Sequence, residues 1–389
     1  MNELYTDYGY VSLNHVGESL CGDNVSVRKL SEDSYIIVLA DGLGSGIKAN
    51  ILSTLTSIMM SKMVGSDIDI EQCVQTVIAT LPVCKDRGVA YSTFSLISVK
   101  DNRWITIYNY DNPSPFVVRE GKAFLPDYVV SEIHGKRIER AEFEAQPGDS
   151  FFMMSDGVIN AGAGEILNYG WTLPEVMKYM AETVTEQSCA KVLATTLTDR
   201  CNALYNGKPG DDVTAACVRI RERQQVSLMV GPSTKAEDDD LMVSLFLSKK
   251  GKHAVCGGTT ASIVARYLNK DITTVPNEME TDIPPISAIE GIDLVTEGMV
   301  TLNRVLEYGK DFASGNQDYF SWNYKMDGAS RLASLLFEDA SDIIIFSGCA
   351  VNPAHQHNKE LSISLKMKLI DELCEVLRNL NKNVKISYF

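Results

Sequence analysis

Tyr35-Ile-Ile-Val-Leu-Ala-Asp-Gly-Leu-Gly-Ser-Gly46 decides how the first half of this chain reads. Residues 35–40 are a compact apolar run rich in β-branched and aromatic side chains, the mark of a strand. Asp41 ends it, glycines at 42, 44 and 46 loosen the backbone, and helical periodicity follows over residues 49–64. Three more acidic, glycine-flanked clusters border strand-like runs: Gly22-Asp23-Asn24, Ser155-Asp156-Gly157 and Gly210-Asp211-Asp212-Val213-Thr214. A sandwich of sheets can gather all these carboxylates at one rim. Carboxylate and backbone oxygens without His or Cys nearby select a hard cation, Mg²⁺ or Mn²⁺, over Zn²⁺.

Runs of the same kind recur near residues 9–14, 25–30, 93–99, 104–110, 116–119, 140–145, 151–155 and 213–220, with turns such as Lys100-Asp101-Asn102 and Gln146-Pro147-Gly148-Asp149 between them. Helical spacing appears over residues 70–81, 173–182 and 187–205. Strands in runs with helices in pairs predict an α+β fold, an αββα sandwich of two stacked antiparallel sheets flanked by helices. The charged stretch Arg221-Glu222-Arg223-Gln224-Gln225 breaks this rhythm. Beyond it strand and helix alternate, with strands expected at 226–230, 253–256, 292–296, 342–346 and 384–388 and helices at 238–248, 259–268, 299–307, 329–337 and 359–379. Alternation predicts an α/β domain with a mainly parallel, doubly wound sheet. The expected domains are residues 1–222 and 226–389.

With 389 residues, 45% of them hydrophobic, the chain can bury sizeable cores, and its net charge of −15 argues against nonspecific binding to nucleic acid or to anionic membranes. Residues 1–10 are polar, and no apolar run reaches the roughly 20 residues of a spanning helix, so a cytoplasmic location is expected. Nine scattered cysteines without a Cys-x-x-Cys pair read as reduced thiols.

In order, Gly22-Asp-Asn24, Asp41–Gly46, Asn109-Tyr-Asp-Asn-Pro-Ser-Pro115, Phe151-Phe-Met-Met-Ser-Asp-Gly-Val158 and Gly210-Asp-Asp-Val-Thr214 resemble the signature of the metal-dependent Ser/Thr protein phosphatases, the protein phosphatase 2C type. Their SpoIIE-like bacterial branch is the most similar. The resemblance covers roughly residues 5–220 and implies a two-ion Mn²⁺ or Mg²⁺ centre whose activated water hydrolyses a phosphorylated regulatory protein in bacterial signalling. It implies that Asp41 bridges both ions, the Gly42 carbonyl ligates one, Asp156 and Asp211 complete the other shell, and Asp23 acts through metal-bound water. Asp212 stands where many relatives have Asn, as a direct ligand or an orienter of one. The implied catalytic set is Asp23, Asp41, Asp156 and Asp211. Eukaryotic-type relatives place an arginine ahead of the first Asp to hold the substrate phosphate, whereas here Glu18, Ser19, Leu20 and Cys21 precede Gly22, as in SpoIIE-like members. Lys48 could serve instead, or be a solvated first-turn lysine. Taken singly, each Asp-Gly pair also reads as an ordinary turn or cap.

In the second domain, His253-Ala-Val-Cys-Gly-Gly-Thr-Thr260 runs from a strand into a helix. Gly257, Gly258, Thr259 and Thr260 could receive a small anionic or hydroxyl-rich ligand there, facing the loop at 348–357, or form a glycine turn with Thr259 as N-cap. His355 and His357 in that loop read as polar loop residues rather than metal ligands. The domain is expected to sense a ligand or to mediate interaction, and a homodimer is compatible with either. Two other functions stand beside the phosphatase: a silent docking module on the same fold, and a small-molecule enzyme or binding protein centred on the second domain.

Overall fold

Strand Ser34–Gly42 is apolar without interruption from Tyr35 to Ala40 because both of its faces are covered. Tyr35, Ile37 and Leu39 point between two sheets, where they pack with Ile97, Ile107, Val117, Phe151, Met153 and Val218. Ile36, Val38 and Ala40 point the other way, onto Met60, Cys73, Val74 and Val77 of helices α1 (Gly46–Val64) and α2 (Ile70–Thr80). In this computed structural model, which describes residues 3–80, 92–133, 135–275, 282–350 and 359–389, the chain divides into two units, Met1–Glu222 and Arg223–Phe389.

The first unit is two antiparallel sheets with helices on both outer faces. One sheet orders Asp23–Ser31, Ser34–Gly42, Ser92–Lys100, Trp104–Tyr110, Lys136–Glu144 and Val129–Ile133; the other orders Leu4–Leu13, Val213–Glu222, Ser150–Met154, Phe116–Arg119 and Lys122–Phe124. Helices Leu173–Thr183 and Ala190–Leu204 cover the second sheet through a core of Phe116, Phe152, Val176, Met180, Leu193 and Leu197. The sandwich therefore has three apolar layers. Edge strands Lys122–Phe124 and Val129–Ile133 have no counterpart in the sequence reading, because they are short and mostly exposed and so lack a buried face to impose alternation. Position 81 of the second expected helix lies outside the described residues.

The second unit carries a mixed seven-stranded sheet ordered Thr273–Val275, Ile286–Ala288, Leu294–Thr296, Lys252–Cys256, Gln225–Val230, Asp342–Ser347 and Asn383–Tyr388. The last five strands are mutually parallel, and in chain order they run 3-2-1-4-5, the doubly wound arrangement. The two short strands at the other edge are antiparallel, which makes the sheet mixed. No helix among the described residues is long and apolar enough to cross a membrane.

Phe152 is fully buried in the outer core and stacks on Phe116 with ring centroids 5.0 Å apart. Removing a buried phenyl group costs about 3–5 kcal/mol. A fragment of residues 1–222 is expected to unfold cooperatively in urea, and Phe152→Ala within it to lose stability of about that size. Aggregation of the unmodified fragment, or a loss well under 1 kcal/mol, would contradict this packing.

Candidate metal centre

Register brings the acidic clusters together. Asp23 and Asp41 lie directly opposite each other on neighbouring antiparallel strands, so their side chains leave the same face of the sheet, and Thr93 lies opposite Asp41 on the next strand. That face looks toward the other sheet, since Leu39, two residues before Asp41, belongs to the inter-sheet core. From the second sheet, Asp156 follows strand Ser150–Met154 as the first residue of a short helical turn, Asp156–Ile159. Asp211 and Asp212 precede strand Val213–Glu222. Those two strands are neighbours, and Ser155 and Thr214 tie them at this end: the Ser155 amide donates to the Thr214 carbonyl at 3.0 Å, and the Thr214 amide to Ser155 Oγ at 2.9 Å.

Glycines allow the close approach. A Cβ on Gly22 would stand 2.7 Å from Asp212 Oδ2, one on Gly157 would stand 2.1 Å from the Asp212 carbonyl oxygen, and one on Gly42 would stand 2.1 Å from the Ala49 carbonyl oxygen. These three positions need glycine for space, and Asn50 Nδ2 secures the turn before Asp23 by donating to the Cys21 carbonyl at 2.8 Å.

The electrostatics are those of crowded like charges. Burial raises the Asp23 carboxyl to about 7; hydrogen bonds from Ser155 and Thr214 oppose the rise, and the charges of Asp212 and Asp156 add to it. Asp41 is raised to about 9, first by burial, then by the charges of Asp23, Asp156 and Asp211 and by a hydrogen bond with Asp156. Asp211 is raised by burial and by Asp156. Two carboxylate oxygens, Asp23 Oδ2 and Asp212 Oδ2, are buried with no hydrogen-bond partner.

Orphaned carboxylate oxygens among mutually repelling acids fit a divalent cation, which satisfies the oxygens and cancels the repulsion. An all-oxygen donor set suits Mg²⁺ or Mn²⁺. Among the described residues no three His, Cys, Asp or Glu side chains close on a single point as a one-ion cage would. Magnesium sites do not require such a cage, because the ion keeps several waters and takes one or two carboxylates.

One site residue is invisible to motif reading. His15 lies in the turn after strand Leu4–Leu13; its amide donates to Asp212 Oδ1 at 2.9 Å, its charge acts on Asp211, and its Nδ1 is buried without a partner. The expectation of no histidine near the cluster is corrected accordingly. The only signal is register: Leu13 pairs with Val213, which carries the chain past Asp211 and Asp212 two residues later. Lys48 is exposed on the first turn of α1, and no interaction with a cluster carboxylate is seen among the described residues.

In the second unit, Gly257 is the N-cap of helix Gly258–Leu268 with φ +114°, a place only glycine takes easily, so Thr259 is not the cap. Thr260 is buried and its hydroxyl accepts from the Gly231 amide at 2.9 Å. The Glu297 carboxylate stands 3.9 Å from where a Gly258 Cβ would be, so this helix N-terminus already faces a negative group. His355 and His357 lie outside the described residues.

Residues 31–221 match the model of the family described as stage II sporulation protein E (SpoIIE). Stage II sporulation protein E of Bacillus subtilis strain 168 is 25% identical over 212 residues, 52% of this chain and 24% of that protein. The match thus spans about a quarter of that relative's length. Among solved structures, the phosphatase domain of B. subtilis SpoIIE, in a crystal form without domain swapping, shares 22% identity with a TM-score of 0.44, over 57% of this chain and 95% of that one. The RsbU and RsbW domains of Rv1364c from Mycobacterium tuberculosis share 15% with a TM-score of 0.46, over 62% and 68%. RsbX in complex with magnesium shares 18% with a TM-score of 0.41, over 57% and 97%.

Raised carboxyls have a consequence for stability. Between about pH 4, where these groups ionise in the unfolded chain, and the folded values of about 7 for Asp23 and about 9 for Asp41, the folded state holds protons that the unfolded state has lost. Stability in excess chelator is therefore expected to be greatest at the acid end and to fall as pH rises through that window. Thermal midpoints from pH 5 to 9 test this. Asp23→Asn should flatten the slope below about pH 7 and Asp41→Asn along the whole window to about pH 9, and a midpoint that climbs with pH would refute the electrostatic reading.

Proposed function

We propose that the first unit is a Ser/Thr phosphoprotein phosphatase dependent on two Mn²⁺ or Mg²⁺ ions, acting on a phosphorylated regulatory protein. The observation that carries the reading is the rim itself: acids from both sheets of a unit that matches the SpoIIE family model, repelling one another, with two buried carboxylate oxygens lacking a partner. Asp41, the Gly42 carbonyl, Asp156 and Asp211 would hold the ions, with Asp23 and Asp212 supporting them. When bound, such ions supply a hydroxide-like nucleophile at neutral pH and neutralise charge on the phosphoryl oxygens.

The chain's own residues do the rest. Ser155 and Thr214 hydrogen-bond the Asp23 carboxylate and favour its ionised form. Asp212 receives the His15 amide, which anchors the first strand's turn to the loop bearing Asp211. Glycines at 22, 42 and 157 keep side-chain bulk out of the approach. We assign the second unit, residues 226–389, a regulatory role, with Gly257, Gly258, Thr259 and Thr260 as its ligand site. Because Glu297 stands at that site, a hydroxyl-rich ligand suits it better than an anionic one.

Hydrolysis of phosphoserine peptides is expected with Mn²⁺ or Mg²⁺ and to vanish in excess chelator. Asp41→Asn and Asp156→Asn should each lower turnover by at least about 100-fold, beyond the roughly 10–100-fold typical of residues that only support metal ligands. Full activity after metal stripping would overturn the metal assignment. Inactivity of the unmodified protein toward every phosphopeptide and aryl phosphate, despite bound metal, would favour the silent docking module.

A further inference from the structure

Helix α1 is built inside out. Its buried face is small and hydroxyl-rich: Gly46, Ala49, Ser53, Thr56, Ser57 and Ser61, with Met60 as its one large member. The hydroxyls are satisfied locally, Ser53 on the Asn50 carbonyl, Thr56 on that of Leu52, Ser61 on that of Ile58 and Ser57 on Asn24 Oδ1, so burying them leaves nothing unpaired. A slim inner face lets the helix lie close on strands Asp23–Ser31 and Ser34–Gly42. The large aliphatic residues are on the outside. Ile47, Ile51, Leu55 and Ile58 are 61%, 52%, 44% and 39% exposed. Their spacing of four, four and three residues puts them in one stripe along the helix.

The only charges on α1 are Lys48 and Lys62, both exposed, one near each end of the stripe, and the helix has no acidic residue in a chain of net charge −15. That pattern selects the occupant. A second copy of the chain packing on the same stripe sets lysine against lysine whether the two helices run parallel or antiparallel. Two lysines fall short of the basic cluster that holds a helix on an anionic bilayer, and the chain's net charge opposes it. An amphipathic helix with acidic flanks complements both the stripe and the lysines.

We propose that the outer face of α1 docks an amphipathic helical segment of another protein, apolar at positions matching Ile47, Ile51, Leu55 and Ile58 and acidic beside them. The proposal does not depend on phosphatase activity.

The test uses the full chain and a fluorescent synthetic helix with leucines at i, i+4, i+7 and i+11 flanked by glutamates, together with a matched peptide bearing lysines instead. Fluorescence anisotropy should show saturable binding of the glutamate peptide and much weaker binding of the lysine peptide. Ile51→Asp with Leu55→Asp should weaken the glutamate peptide by at least about tenfold, since each buries an unpaired charge in the contact. Lys48→Glu with Lys62→Glu should weaken it several-fold and favour the lysine peptide instead. The lysine pair lies wholly on the surface, so it decides the matter even where the aspartate pair lowers the thermal midpoint. Failure of the glutamate peptide to bind, or equal binding of both peptides, overturns the proposal. So does a dimer in sedimentation that Ile51→Asp and Leu55→Asp dissolve, or binding to phosphatidylglycerol vesicles that those substitutions abolish.

Discussion

Mutual repulsion among acids at one end of the sandwich is the constraint that organises the first unit. Burial first, and then the charges of neighbouring acids, raise the proton affinity of Asp23, Asp41 and Asp211, and apart from a hydrogen bond between Asp41 and Asp156 little in their own chemistry draws them together. The three apolar layers of one sandwich bring them there, through the register that faces Asp23 with Asp41 and the Ser155–Thr214 ladder that ties two strands of the other sheet. The glycines at 22, 42 and 157 follow from the same constraint, because any side chain there would strike a backbone or carboxylate oxygen of the cluster or of α1. The hydrophobic layers outweigh this repulsion on folding, and any cation held there would relieve it.

The second unit meets a comparable problem the opposite way. The N-terminus of helix Gly258–Leu268 carries the positive end of the helix dipole, and the chain supplies its own carboxylate, Glu297, nearby. One site has negative charge in excess and the other is already close to balance.

How much of this was legible in the sequence varied with burial. Strands covered on both faces, such as Ser34–Gly42 and Ser150–Met154, announce themselves as unbroken apolar runs. The doubly wound sheet was legible from alternation alone. Strands Val129–Ile133 and Thr273–Val275 were not, because they lie at sheet edges and are exposed along most of their length. The acidic positions could be picked out because turns that carry them also need glycine, so two signals coincide. His15 had no such companion: its place beside Asp211 and Asp212 depends on pairing between residues about two hundred positions apart, which no local pattern encodes. The inverted face of α1 was hidden for another reason. A helix apolar on its outside and small on its inside has almost no net amphipathic direction, so periodicity predicts the helix without saying which side is buried.

The pairing of Leu4–Leu13 with Val213–Glu222 joins the first strand of the unit to its last, Leu4 lying opposite Glu222. During synthesis at about 5–20 residues per second, the opening strand therefore emerges roughly 10–40 s before the strand it pairs with exists. It must wait as an unpaired edge bearing Tyr5, Tyr8 and Val11, side chains well suited to the wrong strand. Closing a loop of this length makes the pairing a late event with a high entropic barrier, so the step that completes the acid-lined rim is also the slowest the topology imposes. A nascent chain halted just short of Val213 would already carry Asp211 and Asp212, but not the strand whose pairing with Leu4–Leu13 brings them beside His15.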